Sequence, residues 1–269
     1  MQGTGTQADP FYPTNWTEFV EAVGTTEAYV ECPVDAEWDM NQMNSNGLKS
    51  RLMWHAHRVN GNGTKIKNLY IESGCVYFAD DSFTHFVLNL DFLNMWNSEQ
   101  SEGFFITQRN THFGRCNISG QIHNGVAFGG DGGFVLTNHG AKSCSINLNF
   151  QGGSALFHRN VTFDRCYIVL DGYNGIENGS DESMYGTLNN CYLTGKLPYK
   201  HLHAKTTLGG NVYDIYIPEG HSVGCPSIID LGIINTDKVE GSFSGLIGVT
   251  SAQMRDAAYL QSIGFPIIA

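Results

Sequence analysis

A nine-residue motif that recurs near the middle of the chain constrains the fold more than any other feature. Residues Asn110 to Ile118 read NTHFGRCNI and residues Asn160 to Ile168 read NVTFDRCYI, so both copies are Asn-x-x-Phe-x-Arg-Cys-x-Ile. A looser copy from Asn138 to Ile146 keeps the Asn, Cys and Ile at the same offsets. A repeat of about 25 residues is typical of solenoid proteins, in which each repeat packs on its neighbours.

The Cys-x-Ile end of the motif belongs to a longer column of paired apolar residues. Apolar residues two positions apart predict a strand with one buried face. Short strands at this period, separated by Gly and Asn, predict an all-β chain folded as a parallel β-helix of about seven or eight coils. A β-sandwich stays open as an alternative because it also has many short strands, although it would not explain a motif that recurs at one offset. The column pairs are Leu69 with Ile71, Leu88 with Leu90, Cys116 with Ile118, Cys144 with Ile146, Cys166 with Ile168, Cys191 with Leu193 and Ile215 with Ile217, and Val239 is a candidate to begin an eighth.

Two residue types in the repeat fit stacked coils. Asn110, Asn138 and Asn160 each precede a column Cys by six residues. Asn tolerates left-handed backbone at turns, and stacked amides can bond from coil to coil. Four of the seven Cys occupy column positions, which favours reduced core thiols and folding in a cytoplasm. Stacked coils would also bring these Cα atoms within bridging distance, so the sequence leaves a disulfide open.

The composition supports a turn-rich β protein and argues against some partners. The chain has 269 residues, 41% hydrophobic and 15% charged, with 32 Gly. One elongated domain is the simplest interpretation, although this length also allows two small ones. The net charge of −11 argues against a nucleic acid partner, which requires clustered Lys and Arg. Residues 1–10 lack the features of a signal peptide, and no later stretch is long enough to span a membrane.

Both ends of the repeat region carry a predicted short helix. Thr14 or Asn15 is a candidate cap for a helix that buries Phe19, Val20 and Val23 and ends at Gly24, before a strand over residues 28–32. Residues 251–263 predict a second helix, stopped by Gly264 and Pro266. Such helices would cover the ends of the core. The expected organisation is an attachment arm over residues 1–13, a β-helix with its capping helix over residues 14–248, and a helix and tail over residues 249–269.

This order of elements resembles the pectate-lyase-like right-handed β-helix family, and within it bacteriophage tailspikes and related virion-attached β-helices. The resemblance covers roughly residues 14–248 and rests on the helix, the strand and the Asn- and Gly-rich coils with their Cys or Ile column. It implies a right-handed solenoid, a homotrimer, and polysaccharide bound along the outer face of the coils. The scaffold also hosts lyases, hydrolases, adhesins and structural proteins, and no motif here matches a catalytic set of the family.

The expected function is therefore that of a structural or receptor-binding protein of a phage particle, such as a tailspike, fibre or head decoration. It would assemble in the bacterial cytoplasm, need no cofactor, and bind other virion proteins through residues 1–10, an arm expected to be disordered alone. Bacterial surface polysaccharide is a further expected partner. The alternative function is an enzyme that cleaves polysaccharide on the outer face.

Residues that alternate with the column would lie on that outer face. On three consecutive coils the pattern places an aromatic residue beside a hydrogen-bonding one, which suits stacking on sugar rings and binding their hydroxyls. Stacked Tyr could instead favour the sheet itself or contact a neighbouring subunit. These candidate glycan-binding or subunit-interface residues are Arg165 with Tyr167, Asn190 with Tyr192, and Asp214 with Tyr216.

Two further groups are candidates for chemistry. For the enzyme alternative, the candidate carboxylates are Asp171, Glu177, Asp181 and Asp214, because glycosidases use a pair of them across the scissile bond. Acidic loops are, however, usually only solvated. Two His-x-His pairs, His55 with His57 and His201 with His203, would put two imidazoles on one strand face, as in a metal site. Two ligands per chain do not close such a site, so ordinary surface residues are the favoured interpretation and no metal is expected.

Overall fold

The computed structural model describes most of the two ends of the chain and the strands between them. The described residues are 1–40, 52–71, 76–78, 82–84, 87–93, 103–107, 111–114, 116–123, 126–129, 134–137, 145–151, 155–157, 161–171, 186–197, 201–202, 206–224 and 232–265.

These residues form short strands with helices near the two ends. The helices are α1 (Trp16–Gly24), α2 (Ser251–Met254) and α3 (Ala257–Ser262), with a 3-10 turn at Thr236–Lys238. The first strands are β1 (Tyr29–Glu31), β2 (Glu37–Asp39), β3 (Leu52–Trp54), β4 (Arg58–Asn60), β5 (Lys65–Ile71), β6 (Val76–Phe78), β7 (Ser82–Thr84), β8 (Val87–Leu93) and β9 (Gly103–Thr107). The middle strands are β10 (Thr111–Gly114), β11 (Asn117–His123), β12 (Val126–Gly129), β13 (Phe134–Thr137), β14 (Ser145–Gln151), β15 (Ala155–Phe157), β16 (Val161–Asp164), β17 (Tyr167–Asp171) and β18 (Gly186–Asn189). The last strands are β19 (Tyr192–Lys196), β20 (His201–Leu202), β21 (Thr206–Gly209), β22 (Val212–Tyr216), β23 (Ser222–Val223), β24 (Ile233–Asn235), β25 (Ser242–Phe243) and β26 (Ile247–Val249).

The strands form four parallel sheets. The eight-stranded sheet has the order β1-β4-β7-β10-β13-β16-β18-β21, and the ten-stranded sheet has the order β2-β5-β8-β11-β14-β17-β19-β22-β24-β26. A five-stranded sheet, β15-β12-β9-β6-β3, and a three-stranded sheet, β20-β23-β25, complete the set. From β1 to β15 the chain visits the eight-, ten- and five-stranded sheets in rotation. The prediction of an all-β fold with parallel strands is therefore confirmed.

The predicted apolar column lies inside the ten-stranded sheet. Ile118, Ile168 and Leu193 are buried, and consecutive strands bring them into one line through Ile146. Cys32, Cys116, Cys166 and Cys191 are buried and form no disulfide bond, which confirms reduced core cysteines for these residues. Burial raises the pKa of the Cys32 thiol, so the neutral form is favoured. Cys144 lies outside the described residues.

The column departs from its predicted register after β19. Leu193 pairs with Tyr213 and not with Ile217, and Asn211 takes the place that follows Cys191. The residues Tyr213, Ile215 and Ile217 are all buried, so the alternating pattern marks the inward face without identifying which residue aligns with Leu193. Val239 does not begin an eighth pair in this sheet, because it forms an isolated bridge with Ile217.

Residues with left-handed backbone lie in the turns that lead into β17 and β19, and at a bulge inside β5 of the ten-stranded sheet. Asn68, Arg165 and Asn190 have φ of 56°, 53° and 51°, and each directly precedes a buried residue of the column. Gly210 follows the same rule at 74°. Asn190 and Asn68 fit the tolerance of Asn for this conformation, whereas Arg165 is unusual there. Asn110, Asn138 and Asn160, to which the sequence assigned this role, lie outside the described residues.

Helix α1 covers one end of the core as predicted. Asn15 is its cap and accepts a bond from the Glu18 amide at 3.0 Å. Phe19 is fully buried, and its ring lies 5.1 Å from that of Trp38 and 5.4 Å from that of Trp54. The large aromatic contact area explains why a nine-residue helix is stable here.

The expectation of a free arm over residues 1–10 is wrong. The Gly5 carbonyl accepts a bond from the Tyr29 amide at 2.9 Å, so the arm covers the edge of β1. Phe11 then runs parallel to Val30, with backbone bonds of 2.9 Å on both sides. The sequence shows no apolar period here because the contacts are made by backbone groups. Backbone N–H and C=O groups at the edge of β1 thereby gain hydrogen-bond partners.

The C-terminal segment also differs from its prediction. One helix was expected over residues 251–263, but Asp256 interrupts it in extended backbone and caps α3 through the amides of Ala258 and Tyr259. Asp favours such caps over helix interiors. The two helices pack on the outward side of the ten-stranded sheet, where Ile233, Val249 and Phe265 form a second apolar cluster with Val212, Met254, Tyr259, Leu260 and Ile263.

Candidate functional site

Two tyrosines stack on the outward face of the ten-stranded sheet. Tyr167 and Tyr192 are register partners on β17 and β19, and their ring centroids lie 5.5 Å apart at an interplanar angle of 18°. The side chains flanking them along the strands, Ile168 and Leu193, point into the core. Tyr167 is 42% exposed, which is high for an aromatic residue in a sheet. The predicted pairing of these two tyrosines is confirmed, and we call this feature the tyrosine ledge.

The third predicted tyrosine does not belong to the tyrosine ledge. Tyr216 pairs with Lys196, and the residue that follows Tyr192 in register is Val212. Tyr216 instead donates a hydrogen bond to Glu240 Oε2 at 2.6 Å, which raises the pKa of Tyr216. The predicted alignment paired Tyr192 with Tyr216, whereas the chain returns to the sheet four residues sooner, at Val212.

The tyrosine ledge is anchored by Asp214. The Tyr192 hydroxyl donates to Asp214 Oδ2 at 2.7 Å, while Asp214 Oδ1 accepts from Asn235 Nδ2 at 2.7 Å and lies 2.7 Å from Lys238 Nζ. Two effects raise the pKa of Tyr192: the larger is the partial burial of its hydroxyl, and the second is the bond to Asp214. Partial burial by itself would raise the pKa of Asp214, but the bonds from Lys238, Asn235 and Tyr192 hold it below its usual value. Asp214 is therefore an ionised, engaged carboxylate.

The same network reaches the C-terminal helices. Asn235 Nδ2 donates to Ser251 Oγ at 2.9 Å, and Ser251 Oγ donates to Asn235 Oδ1 at 3.1 Å. The Ser251 amide donates to Asp237 Oδ2 at 2.8 Å. These three bonds connect β24 and the following 3-10 turn to the first residue of α2. The amide of Ser251 holds the pKa of Asp237 below its usual value. The network thus holds the helices against the sheet next to Tyr192.

The C-terminal helices close one side of the tyrosine ledge. In register beyond Tyr192 come Val212 and then Ile233, and both belong to the apolar cluster under α2 and α3. The positive charge of Arg255, an exposed residue at the end of α2, acts on Tyr192. On the opposite side the register partners of Tyr167 are Ser145 and then Asn117, so no aromatic residue follows there.

Two predicted partners of the tyrosines are placed differently. Arg165 and Asn190 lie in the left-handed turns and not on the strands beside Tyr167 and Tyr192. The Arg165 guanidinium bonds Asp164 Oδ2 at 3.0 Å, and Asn190 Nδ2 donates to Asn189 Oδ1 at 3.0 Å. A period of two residues does not extend through a turn, which is why counting back from each tyrosine misplaced them.

Among the candidate carboxylates for glycosidic cleavage, the structure describes Asp171 and Asp214. Asp171 ends β17 in register with Asn149. Glu177 and Asp181 lie outside the described residues. Asp214 has both oxygens occupied and a lowered pKa, which is opposite to the raised pKa that a general acid needs.

The first histidine pair does not form the strand-face arrangement that a metal site would need. His55 and His57 lie between β3 and β4, with the buried Ala56 between them, and not on a strand. His57 Nδ1 is 3.9 Å from Glu27 Oε2, and its ring lies 5.2 Å from that of Tyr29. His201 is in β20, whereas His203 lies outside the described residues. Within the ranges that the structure describes, no three His, Cys, Asp or Glu residues come together as a metal site would require.

Sequence reasoning missed a recurring contact between successive repeats of the sequence. In each case an Asn side-chain amide donates to a carboxylate about one repeat earlier in the chain, at 2.7 or 2.8 Å. Because this contact was missed, Asn235 was not recognised as an anchor of the tyrosine ledge. Lys238, its second anchor, was not recognised either. The signal in the sequence was an acidic residue followed by Asn at about the repeat length. The pairs are Glu31 with Asn60, Asp39 with Asn68, Asp164 with Asn189, and Asp214 with Asn235.

Comparison of the chain with protein-family models, with curated proteins and with solved structures gave no match. In the described part of the chain, no helix is long and apolar enough to cross a bilayer.

Proposed function

We propose that this chain is a right-handed parallel β-helix of the virion-attached bacteriophage type and that it binds host glycan at the tyrosine ledge. The rotation of the chain through three parallel sheets supports the solenoid. Crossovers between parallel strands are right-handed in nearly all proteins, which supports the handedness. The chain would form a homotrimer on the particle, as the resemblance to tailspikes implies.

The observation that carries the glycan proposal is the exposure of Tyr167. One ring face is covered by Tyr192, so the other is directed along the sheet toward the position of Ser145. An aromatic face beside residues that bond hydroxyls is suited to a sugar ring, which has an apolar face and polar edges. Tyr192 and Asp214 fix the orientation of the stack, so little side-chain entropy would be lost on binding.

Binding of biotinylated protein to an array of purified bacterial O-polysaccharides and capsular polysaccharides tests this proposal. Tyr167→Ala should remove at least tenfold of the affinity for the bound polysaccharides, whereas Tyr167→Phe should retain most of it because the ring remains. Tyr216→Ala is the matched control, since Tyr216 is on the same sheet but away from the tyrosine ledge. Equal binding by wild type and Tyr167→Ala would contradict the proposal.

The competing use of the tyrosine ledge is contact with another subunit. Mass measurement in solution separates the two uses. If the tyrosine ledge is buried between subunits, Tyr167→Ala should lower the mass of the oligomer. A trimer whose mass is unchanged by Tyr167→Ala, together with lost polysaccharide binding, is the expected result.

Attachment to the particle through residues 1–10 stays part of the proposal, with a different physical basis. The arm is folded on β1, so it would present a preformed surface and not a segment that orders on binding. Mass spectrometry of purified particles that carry the chain, or a version altered in this arm, tests the attachment.

A further inference from the structure

We infer that docking of the C-terminal helices α2 and α3 is coupled to glycan binding at the tyrosine ledge, so that release of the helices weakens binding. This inference rests on the proposed glycan function and adds a regulatory element to the same site.

The first observation is a continuous path of hydrogen bonds from helix α2 to the tyrosine ledge. Asn235 Nδ2 donates to Ser251 Oγ at 2.9 Å and to Asp214 Oδ1 at 2.7 Å. Asp214 Oδ2 accepts a bond from the Tyr192 hydroxyl at 2.7 Å. Ser251, the first residue of α2, is therefore three hydrogen bonds away from the ring that stacks on Tyr167.

The second observation is that Asn235 depends on α2 for two of its contacts. Asn235 is only 2% exposed, so its amide is held by protein groups. Ser251 Oγ also donates to Asn235 Oδ1 at 3.1 Å, which means that one hydroxyl contacts both polar atoms of this amide. If α2 leaves the sheet, the amide loses both contacts and turns toward water to replace them, so its hold on Asp214 weakens.

The third observation is that the two helices are a weakly held element. Helix α2 has four residues and α3 has six, whereas isolated helices shorter than about 12 residues are marginal in water. Of the residues that the structure describes in these two helices, none is fully buried. Met254, Tyr259 and Leu260 pack against the second apolar cluster but stay partly exposed. Such elements open locally at low cost in free energy, so their docking is an equilibrium that a ligand can shift.

The orientation of Tyr192 links this equilibrium to binding. While the helices are docked, Asp214 fixes the Tyr192 ring against Tyr167, and the stack is preformed for a sugar ring. When the helices leave, the stack has to be ordered as the glycan binds, and this entropy loss lowers the affinity. Coupling between two equilibria is reciprocal, so a glycan that favours the ordered stack also favours docked helices.

A double-mutant cycle tests the path from α2 to the tyrosine ledge. Calorimetry should show that Ser251→Ala and Tyr192→Phe each lower the affinity for the polysaccharide selected on the array about fivefold. The double variant should bind no more weakly than either single variant, because both changes interrupt one path. The matched control is Ser262→Ala, since Ser262 Oγ bonds the Tyr259 carbonyl and lies outside the path. Its affinity should stay within about twofold of wild type.

Hydrogen exchange of the wild-type protein tests the reciprocal effect without any substitution. The Ser251 amide donates to Asp237 Oδ2 at 2.8 Å, and this bond requires docked helices. Saturating polysaccharide should therefore slow the exchange of backbone amides in residues 251–262, measured by mass spectrometry. The amides of α1 are the internal control, because this helix covers the other end of the core and should exchange equally with and without polysaccharide.

The outcomes separate this inference from the function on which it rests. Slower exchange in residues 251–262 together with non-additive losses in the cycle is the expected result. If binding depends on Tyr167 but Ser251→Ala has no effect, the losses add, or exchange in residues 251–262 is unchanged, the coupling is overturned and the glycan function stands. Absence of any binding that depends on Tyr167 would overturn the proposed function and the coupling with it.

Discussion

The Tyr192 hydroxyl lies 2.7 Å from Asp214 Oδ2, and this bond joins the aromatic stack on β17 and β19 to a charged network on the neighbouring strand β22. A neutral donor to an ionised acceptor makes a strong hydrogen bond, and partial burial reduces the competition from water. The tyrosine ledge and the C-terminal helices therefore share one polar anchor.

Replacing Tyr192 by Phe should destabilise the protein while leaving the ring stack in place. We expect a loss of about 1 kcal/mol in the free energy of unfolding, because Asp214 loses one of its donors in a partly buried site. Urea unfolding followed by circular dichroism measures it. The control is Tyr216→Phe, which removes an exposed bond to Glu240 and should change stability much less. Equal losses in the two variants would contradict the anchor.

Stability should fall in acid through Asp214. Its pKa is lowered in the folded protein, so its contribution is complete above the unfolded value of about 3.9 and is lost as pH falls through the lower folded pKa. Unfolding measured between pH 7 and pH 2.5 should show a smaller acid loss in Asp214→Asn than in wild type. Parallel curves for the two proteins would show that Asp214 is not linked to folding.

The buried Cys166 should tolerate an apolar replacement better than a polar one. It is 2% exposed, and its thiol lies 3.5 Å from the Asp164 carbonyl. Cys166→Ser should cost about 1 to 3 kcal/mol, because a hydroxyl is more costly to bury than a thiol. Cys166→Val should cost less. Rapid reaction of the native protein with a polar maleimide at Cys166, located by peptide mass mapping, would contradict the inward placement.

Removing residues 2–10 should lower the melting temperature, in contrast to what a free arm would do. The Tyr29 amide would lose its bond to Gly5, and the edge of β1 would be exposed. Differential scanning calorimetry measures the effect. An unchanged melting temperature would show that the arm contributes nothing to the fold.

A point substitution tests the fold of the arm itself without shortening the chain. Gly3 has φ of 89°, and an added Cβ would lie 1.9 Å from the Pro10 carbonyl oxygen, so Gly3→Ala should displace the arm. Gly220 has φ of 76° with open space around it, so Gly220→Ala should cost only the strain of left-handed backbone, about 1 to 2 kcal/mol. A cost for Gly3→Ala no larger than for Gly220→Ala would contradict the packing of the arm.

The sequence by itself determined one column of the core and most of the buried face of α1. The two-residue alternation identified the inward column from Cys116 to Leu193, and the cap and apolar residues of α1 were readable because both are local signals. The stacking of Tyr167 on Tyr192 was also predictable, since the two strands keep one repeat length.

Only the tertiary structure decided what surrounds the tyrosine ledge. An alternating pattern specifies the face of a strand but not its register, so the partner of Tyr192 was Val212 and not Tyr216. The contacts of Asp214 with Asn235 and Lys238 join residues more than twenty positions apart, and no local pattern encodes them. Backbone hydrogen bonds hold the arm on β1, and apolar contacts with distant strands hold the C-terminal helices. The energy of these contacts depends on neighbours in space, which the linear sequence does not specify.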